Sequence, residues 1–156
     1  MEIYHRLDKI IRMKPTYKHS QPGTAMAMAM AICSLIVIVA YLFNRSQPIM
    51  LVAVIPFAGC AALFSLLTIQ INGDCLKWSF GPGLLLKSIP LKEVVSAEPV
   101  ENRWYHGWGI HYAGGEWFYN VAGFDAVRVT LKNGMSFRLG TDEPEALTAA
   151  IRDQIH

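Results

Sequence analysis

Two of the histidines, His106 and His111, carry side chains that often bind metal ions or transfer protons. They lie five residues apart, and no third ligand follows at a spacing known from zinc sites. Asp74 or Glu116 would have to complete such a site from distant parts of the chain. We therefore predict no metal site at these histidines.

A motif for nucleophilic catalysis is also absent from the sequence. There is neither a nucleophile elbow nor a phosphate-binding glycine loop, and no carboxylate lies inside an apolar run. Cys33 and Cys60 fall within the apolar runs and Cys75 follows them, so their spacing fits neither a disulfide framework nor a zinc site. We interpret them as small packing residues, and predict no enzyme activity and no cofactor.

The stretch Trp104–Asn120, WYHGWGIHYAGGEWFYN, holds three of the four tryptophans. One interpretation is structural: GIHY and WFYN form two strands whose alternate aromatic side chains fill a small core. A second interpretation concerns the residues just before these strands, which cannot all point inward, so that some must be exposed. The candidate contact patch consists of Arg103, Trp104, Tyr105, His106, Trp108 and His111.

Two long apolar runs precede this part of the chain. Thr24–Phe43 and Ile49–Leu67 contain no charged residue, and at about 1.5 Å per residue each forms a helix of about 30 Å, the thickness of a bilayer's hydrocarbon core. A buried helical hairpin would need more protein around it than the chain supplies. A signal peptide would have a shorter apolar region and end in small residues. We predict a two-helix transmembrane hairpin over residues 24–71.

The basic residues predict how this hairpin is oriented. Five of them precede the first run, whereas Arg45 alone lies between the two runs. By the positive-inside rule, both ends of the chain then face the cytoplasm. Residues 1–23 form either an amphipathic helix on the lipid surface or a disordered tail. The basic residues that we assign to the membrane surface are Arg6, Lys9, Arg12 and Lys14.

After the second run the pattern becomes alternating, as in half-buried antiparallel strands. Cys75–Phe80 alternates apolar and polar residues, and Asn133–Gly134 predicts a hairpin turn in which both residues have positive φ. Near the end of the chain, Thr141 or Asp142 caps one amphipathic helix. About seven short strands and this helix predict a small curved sheet or partly open barrel that the helix plugs.

The segments FGPGLLLKSIPLKEV, GWGIH, FYNVAGFDAVRVTLKNG and RLGTDEPEAL resemble the pattern of bacterial membrane proteins with a pleckstrin-homology-like (PH-like) domain. The resemblance covers roughly residues 69–155. It implies a mainly-β PH-like barrel or roll over residues 72–156, capped by the C-terminal α-helix, and a location in the bacterial inner membrane. The fold hosts scaffolding, lipid-binding and peptide-binding roles. His111 stands where the family pattern usually has arginine, so a role of that arginine does not carry over.

Charge argues against two kinds of ligand. From Gly73 onward there are eight basic and ten acidic residues, so this domain is net negative. The turn Asn72–Asp74 lacks the lysines and arginines that a phosphoinositide pocket requires. The formal charge of +2 comes from the N-terminal segment and Arg45, and does not indicate nucleic-acid binding.

Exposed tryptophan and tyrosine next to membrane helices have two physical uses: they anchor a protein at headgroup level, or they form the energetic centre of a protein interface. We predict an interaction or assembly module that binds a protein partner or a second copy of the chain through the contact patch. The alternative is a lipid-binding or lipid-sensing protein whose aromatics and basic N-terminal segment contact the bilayer. In both cases, membrane lipids surround the helical hairpin as its solvent. We expect no binding of nucleic acid.

Overall fold

The computed structural model describes residues 16–43 and 48–155, without the side chain of Met50. The strands are β1 (Tyr17–Pro22), β2 (Leu66–Asn72), β3 (Cys75–Phe80), β4 (Leu85–Pro90), β5 (Val94–Glu101), β6 (Gly109–Ala113), β7 (Glu116–Asn120), β8 (Asp125–Leu131) and β9 (Ser136–Gly140). The α-helices are α1 (Thr24–Phe43), α2 (Val54–Leu63) and α3 (Pro144–Ile155), and 3-10 turns cover Pro48–Ala53, Leu91–Glu93 and Trp104–His106. The predicted membrane-surface residues Arg6, Lys9, Arg12 and Lys14 lie outside the described residues.

The first sheet is antiparallel and has the order β1-β2-β3-β4. Strand β1 pairs with β2 from Tyr17 opposite Ile71 to Pro22 opposite Leu66. The sequence pattern assigned residues 17–22 to the N-terminal segment and Leu66 to the second apolar run. In the structure, residues 17–22 form strand β1, and Leu66 begins strand β2. The pairing joins segments on either side of the whole apolar region, so no local pattern shows it.

The apolar region forms one long helix and a shorter helical segment. α1 has 20 residues and is the one helix in the described part of the chain that is long and apolar enough to cross a membrane. The second run divides into the 3-10 turn Pro48–Ala53, helix α2, which packs against α1, and the first residues of β2. Pro56 lies in the first turn of α2, directly after this 3-10 turn.

The second sheet has the order β5-β8-β9-β7-β6, with β7 and β9 parallel. The hydrophobic core lies between the two sheets, where Trp78, Phe80 and Tyr119 pack together. Leu147 and Ile151 of α3 are buried in the same core, as the helical spacing predicted. The two sheets do not close into a barrel, and α3 covers the core beside β5.

Two hairpin turns determine how the second sheet is built. At Asn133–Gly134 the hairpin forms, but only Gly134 has positive φ, +81°, so the predicted turn type is wrong. Asn133 Oδ1 instead accepts a hydrogen bond from the Met135 N–H at 3.0 Å. At Gly114–Gly115 both φ angles are positive, +59° and +88°, as a two-residue turn between paired strands requires. This tight turn sets the register of the β6–β7 hairpin.

Candidate functional site

The aromatic side chains of Trp104–Asn120 divide between the interior and the surface. Phe118 and Tyr119 are buried, whereas Trp117 is 44% exposed. Because side chains alternate along β7, Tyr119 joins the core beside Trp78, and Phe118 packs instead with the two histidines. The interpretation of these strands as core aromatics therefore holds for Phe118 and Tyr119 of β7, but not for Tyr112 of β6, which is 62% exposed.

The loop before β6 contributes to an exposed surface that we call the aromatic patch: Trp104, Tyr105, Trp108 and Phe124. Trp104 is 80% exposed, and its ring meets that of Tyr105 edge to face at 5.9 Å. Phe124, from the loop after β7, was missed in the sequence because only the fold brings it near Trp104. Together with Glu101 to Tyr105, Phe124 lines an open depression of about 590 Å³.

Polar contacts hold the patch in place. The Trp108 indole N–H donates a hydrogen bond to the Gly123 carbonyl at 3.2 Å, which ties the loop before β6 to the loop after β7. Arg103 Nη1 donates to the Tyr105 hydroxyl at 3.1 Å, and the guanidinium carbon lies 5.9 Å from the centre of that ring. Four of the predicted patch residues are therefore at the surface: Arg103, Trp104, Tyr105 and Trp108.

The two predicted histidines lie behind the patch rather than on its surface. His111 stacks on Phe118 with ring centroids 4.9 Å apart and an interplanar angle of 9°, and His106 contacts the same ring at 4.7 Å. Burial, and after it the nearby His106, lowers the pKa of His111 below its ordinary value of 6.5. His111 is therefore neutral at pH 7 and acts as an aromatic packing residue.

A polar cluster around Glu116 connects the patch loop to the second sheet. Glu116 Oε2 accepts hydrogen bonds from Arg138 Nε at 2.7 Å and from Arg128 Nη2 at 3.1 Å. Glu116 Oε1 accepts one from the Ser136 hydroxyl at 2.6 Å. Burial opposes the charged form, but the hydrogen bonds from these three residues outweigh it and lower the pKa of Glu116. Arg138 also donates to Asn102 Oδ1 at 3.1 Å, directly before the patch. The cluster was not predicted, because its members meet only when three strands pair.

The aromatic patch adjoins the ends of α1 and α2. A β-carbon added at Gly109, the first residue of β6, would lie 3.9 Å from Met26 Cε in the first turn of α1. The same atom would lie 3.9 Å from Phe64 Cε1, directly after α2. On the other loop, Gln21 Nε2 donates a hydrogen bond to the Ala122 carbonyl at 3.2 Å. Both loops of the patch are thus fixed next to the helix ends.

The chemistry available at the patch is contact through aromatic faces and a few polar tips. Within residues 16–43 and 48–155, no group of three or more histidine, cysteine, aspartate or glutamate residues is placed to hold a metal ion. No protein-family model and no curated protein matches the chain. The support for a function therefore comes from the geometry of the patch and from its place beside the helices.

Proposed function

We propose that this chain is an integral protein of the bacterial inner membrane, with a cytoplasmic PH-like domain that binds the lipid surface through the aromatic patch. The observation that carries the proposal is the position of Gly109, directly after Trp108, where an added β-carbon would lie 3.9 Å from side-chain atoms of Met26 in α1 and of Phe64 just after α2. Of the two uses predicted for the aromatics, this geometry favours the lipid-binding one over the protein-interaction module.

The lengths of the helical segments support two crossings. α1 is about 30 Å long at 1.5 Å per residue, which matches the hydrocarbon core. The second segment combines six residues of 3-10 helix, at about 2.0 Å each, with ten residues of α-helix, and it reaches about 27 Å. In the described structure neither α1 nor α2 contains a buried residue, so their apolar side chains require lipid around them.

The pairing of β1 with β2 supports a location of the start of α1 and the end of α2 on the same side of the membrane. β1 precedes α1, β2 follows α2, and the two strands pair over six residues, so the chain enters and leaves the helical pair at one level. A signal sequence cleaved after α1 would take β1 out of the sheet, which favours an uncleaved anchor. Because the basic N-terminal segment favours the cytoplasmic side, the domain is cytoplasmic in this proposal.

The composition of the patch suits the headgroup region. Indole and phenol rings combine an apolar body with a polar tip, and they are enriched where membrane proteins leave the hydrocarbon core. Trp108 is 42% exposed next to the helix ends, and Trp104 and Tyr105 extend the same surface. Arg103 adds a cation for lipid phosphate, and its guanidinium carbon lies 5.9 Å from the centre of the Tyr105 ring.

The strand arrangement supports a PH-like domain. β5, β8 and β9 form a three-stranded antiparallel unit that packs with the four-stranded first sheet and leads into α3. The β6–β7 hairpin is inserted between β5 and β8, and the two apolar helices are inserted between β1 and β2. A body of seven strands and one helix therefore carries two insertions, and these lie close to each other at Gly109.

A second candidate function, the protein-interaction module, is favoured by a different observation. The depression of about 590 Å³ beside Trp104 and Tyr105 is concave and also offers the polar residues Glu101 and Asn102. Tryptophan, tyrosine and arginine next to a concave surface have the composition of an interface hot spot. A protein partner or a second copy of the chain would insert a side chain there.

The depth of the tryptophans in the membrane tests the lipid proposal. The full chain is labelled with 5-fluorotryptophan and placed in lipid nanodiscs that carry gadolinium on some headgroups. Replacing each tryptophan in turn with phenylalanine assigns the four fluorine signals. We expect faster relaxation for Trp104 and Trp108 than for Trp117, because paramagnetic relaxation falls steeply with distance.

Trp117 is a matched control for Trp108. The two side chains have similar exposure, 44% and 42%, and Trp108 directly precedes the β6–β7 hairpin that carries Trp117. Trp117 lies opposite Tyr112, three residues along the hairpin from the pair Gly109–Asn120, which places it about 10 Å farther from the helix ends. Equal relaxation of all signals, or none at Trp104 and Trp108, contradicts the lipid proposal. In that case, loss of a native crosslinked complex on Trp104→Ala would support the interaction module.

A further inference from the structure

We propose that a cavity on another side of the domain binds a small organic carboxylate with an aromatic or aliphatic body. The cavity has a volume of about 450 Å³ and lies between β4 and the β7–β9 pair, where the two sheets do not close. Its size falls in the range of about 300–1,000 Å³ that is usual for small-molecule sites. It shares no lining residue with the depression at the aromatic patch, so the proposal is independent of lipid binding.

Trp78, one of the residues that line the cavity, carries a buried hydrogen-bond donor. Trp78 is 4% exposed, and its indole N–H is buried without an acceptor in the described part of the chain. The ring is held in place by stacking on Phe137 at 5.0 Å and by contact with Tyr119 at 5.2 Å. Since buried N–H groups are normally paired, this one is suited to a ligand that brings an acceptor into the cavity.

A single cation lies at the wall of the same cavity. Lys87 Nζ donates a hydrogen bond to the Tyr119 hydroxyl at 2.8 Å, and it lies 5.5 Å from the Trp117 ring centre and 5.0 Å from that of Tyr119. Among the described residues, no carboxylate is within 4.0 Å of it, whereas Arg128 and Arg138 have such partners. An ammonium group has three donors, so two remain for an anion.

These two groups select the chemical class of the ligand. A carboxylate has two oxygens, of which one accepts from the Trp78 N–H and the other pairs with Lys87. One lysine balances one negative charge, which favours a carboxylate over a doubly charged phosphate monoester. Ile89, Leu131 and Phe137 line the cavity and supply an apolar surface for the body of the ligand.

Binding of 3-phenylpropionate to the full chain in zwitterionic nanodiscs tests the proposal. The probe is titrated while the ¹⁵N-labelled indole signals are recorded, and Trp78→Phe assigns the signal of interest. We expect a saturable downfield shift of the Trp78 N–H, because the carboxylate becomes its acceptor. Lys87→Met removes the charge and keeps much of the stem, and we expect it to weaken binding by at least about tenfold.

Two matched controls make the outcome decisive. Lys132→Met removes an exposed lysine that does not line the cavity, and it should leave the affinity unchanged. The uncharged analogue 3-phenylpropanol should bind at least about tenfold more weakly than 3-phenylpropionate. The proposal is overturned if the Trp78 signal does not shift, or if Lys87→Met and the alcohol both leave the affinity unchanged. The Lys87 variant and the alcohol decide the question even if Trp78→Phe impairs folding.

Discussion

Pro22 and Leu66 lie opposite each other in the β1–β2 pair, although both apolar helices lie between them in the chain. A backbone hydrogen bond from the Gly23 N–H to the Ser65 carbonyl, 2.9 Å long, continues this pairing up to the base of the helices. The helical pair therefore extends directly from two strands of the sheet. Any motion of the helices relative to each other at this point has to disturb the edge of the first sheet.

Replacing Gly23 with alanine should loosen this junction. A β-carbon at Gly23 would collide with the Phe64 carbonyl oxygen and lie 3.0 Å from Val121 Cβ. Because backbone atoms cannot move aside without breaking the strand pairing, we expect the free energy of unfolding to fall by about 1–3 kcal/mol. Thermal unfolding of the detergent-solubilised chain, followed by tryptophan fluorescence, measures the change. Gly59→Ala is the control, since a β-carbon there has no described atom within 4 Å, and equal effects of the two variants would contradict the prediction.

The lowered pKa of Glu116 predicts a dependence of stability on pH. A carboxyl group with a lowered pKa stabilises the fold above its ordinary pKa of 4.5, and this contribution is lost as pH falls through the lower pKa of the folded state. Glu116→Gln should therefore be less stable than the parent at pH 7, and the difference should shrink below pH 4.5. Denaturant unfolding between pH 3 and 7 gives both values. The exposed Glu101→Gln should show no such difference, and a constant gap for Glu116→Gln would refute this account.

The parts of the fold that could be predicted are those whose signals are local. The alternation of Cys75–Phe80 correctly predicted a strand with Leu76, Trp78 and Phe80 buried, because the period of two residues belongs to one segment. The apolar stripe of α3 was equally visible, and so was the β6–β7 hairpin around Gly114–Gly115.

The parts that could not be predicted depend on segments meeting across the chain. β1 is a strand because β2 pairs with it from the far side of both helices. Phe124 joins the aromatic patch only through the loop after β7, and Glu116 meets its arginines only when β7, β8 and β9 are adjacent. The sequence therefore indicated the exposed aromatic residues of the site, but not the polar cluster behind them.

Asn120 should control the order of the loop that carries Phe124. It is 1% exposed, its Oδ1 accepts from the Ala122 N–H at 3.2 Å, and its Nδ2 donates to the Gly123 carbonyl at 3.1 Å. Asn120→Ala leaves the Ala122 N–H without this acceptor and the Gly123 carbonyl with the Trp108 N–H alone, and a buried group that loses its partner costs about 1–3 kcal/mol. We expect faster amide hydrogen exchange at Ala122 and Gly123, measured by NMR. Asn133→Ala, in an exposed turn, is the control and should not accelerate exchange there.

His111 should make the fold less stable in mild acid. Because its pKa is lowered below 6.5, the unfolded chain takes up its proton before the folded chain does, so stability falls as pH drops below 6.5 toward the pKa of the folded state. His111→Phe keeps the stacking on Phe118, 4.9 Å between ring centroids, and removes this proton uptake. The parent should therefore lose more stability than His111→Phe between pH 7 and pH 5, as denaturant unfolding will show. The other histidines are present in both chains, so identical slopes would mean that His111 titrates alike in the folded and unfolded states.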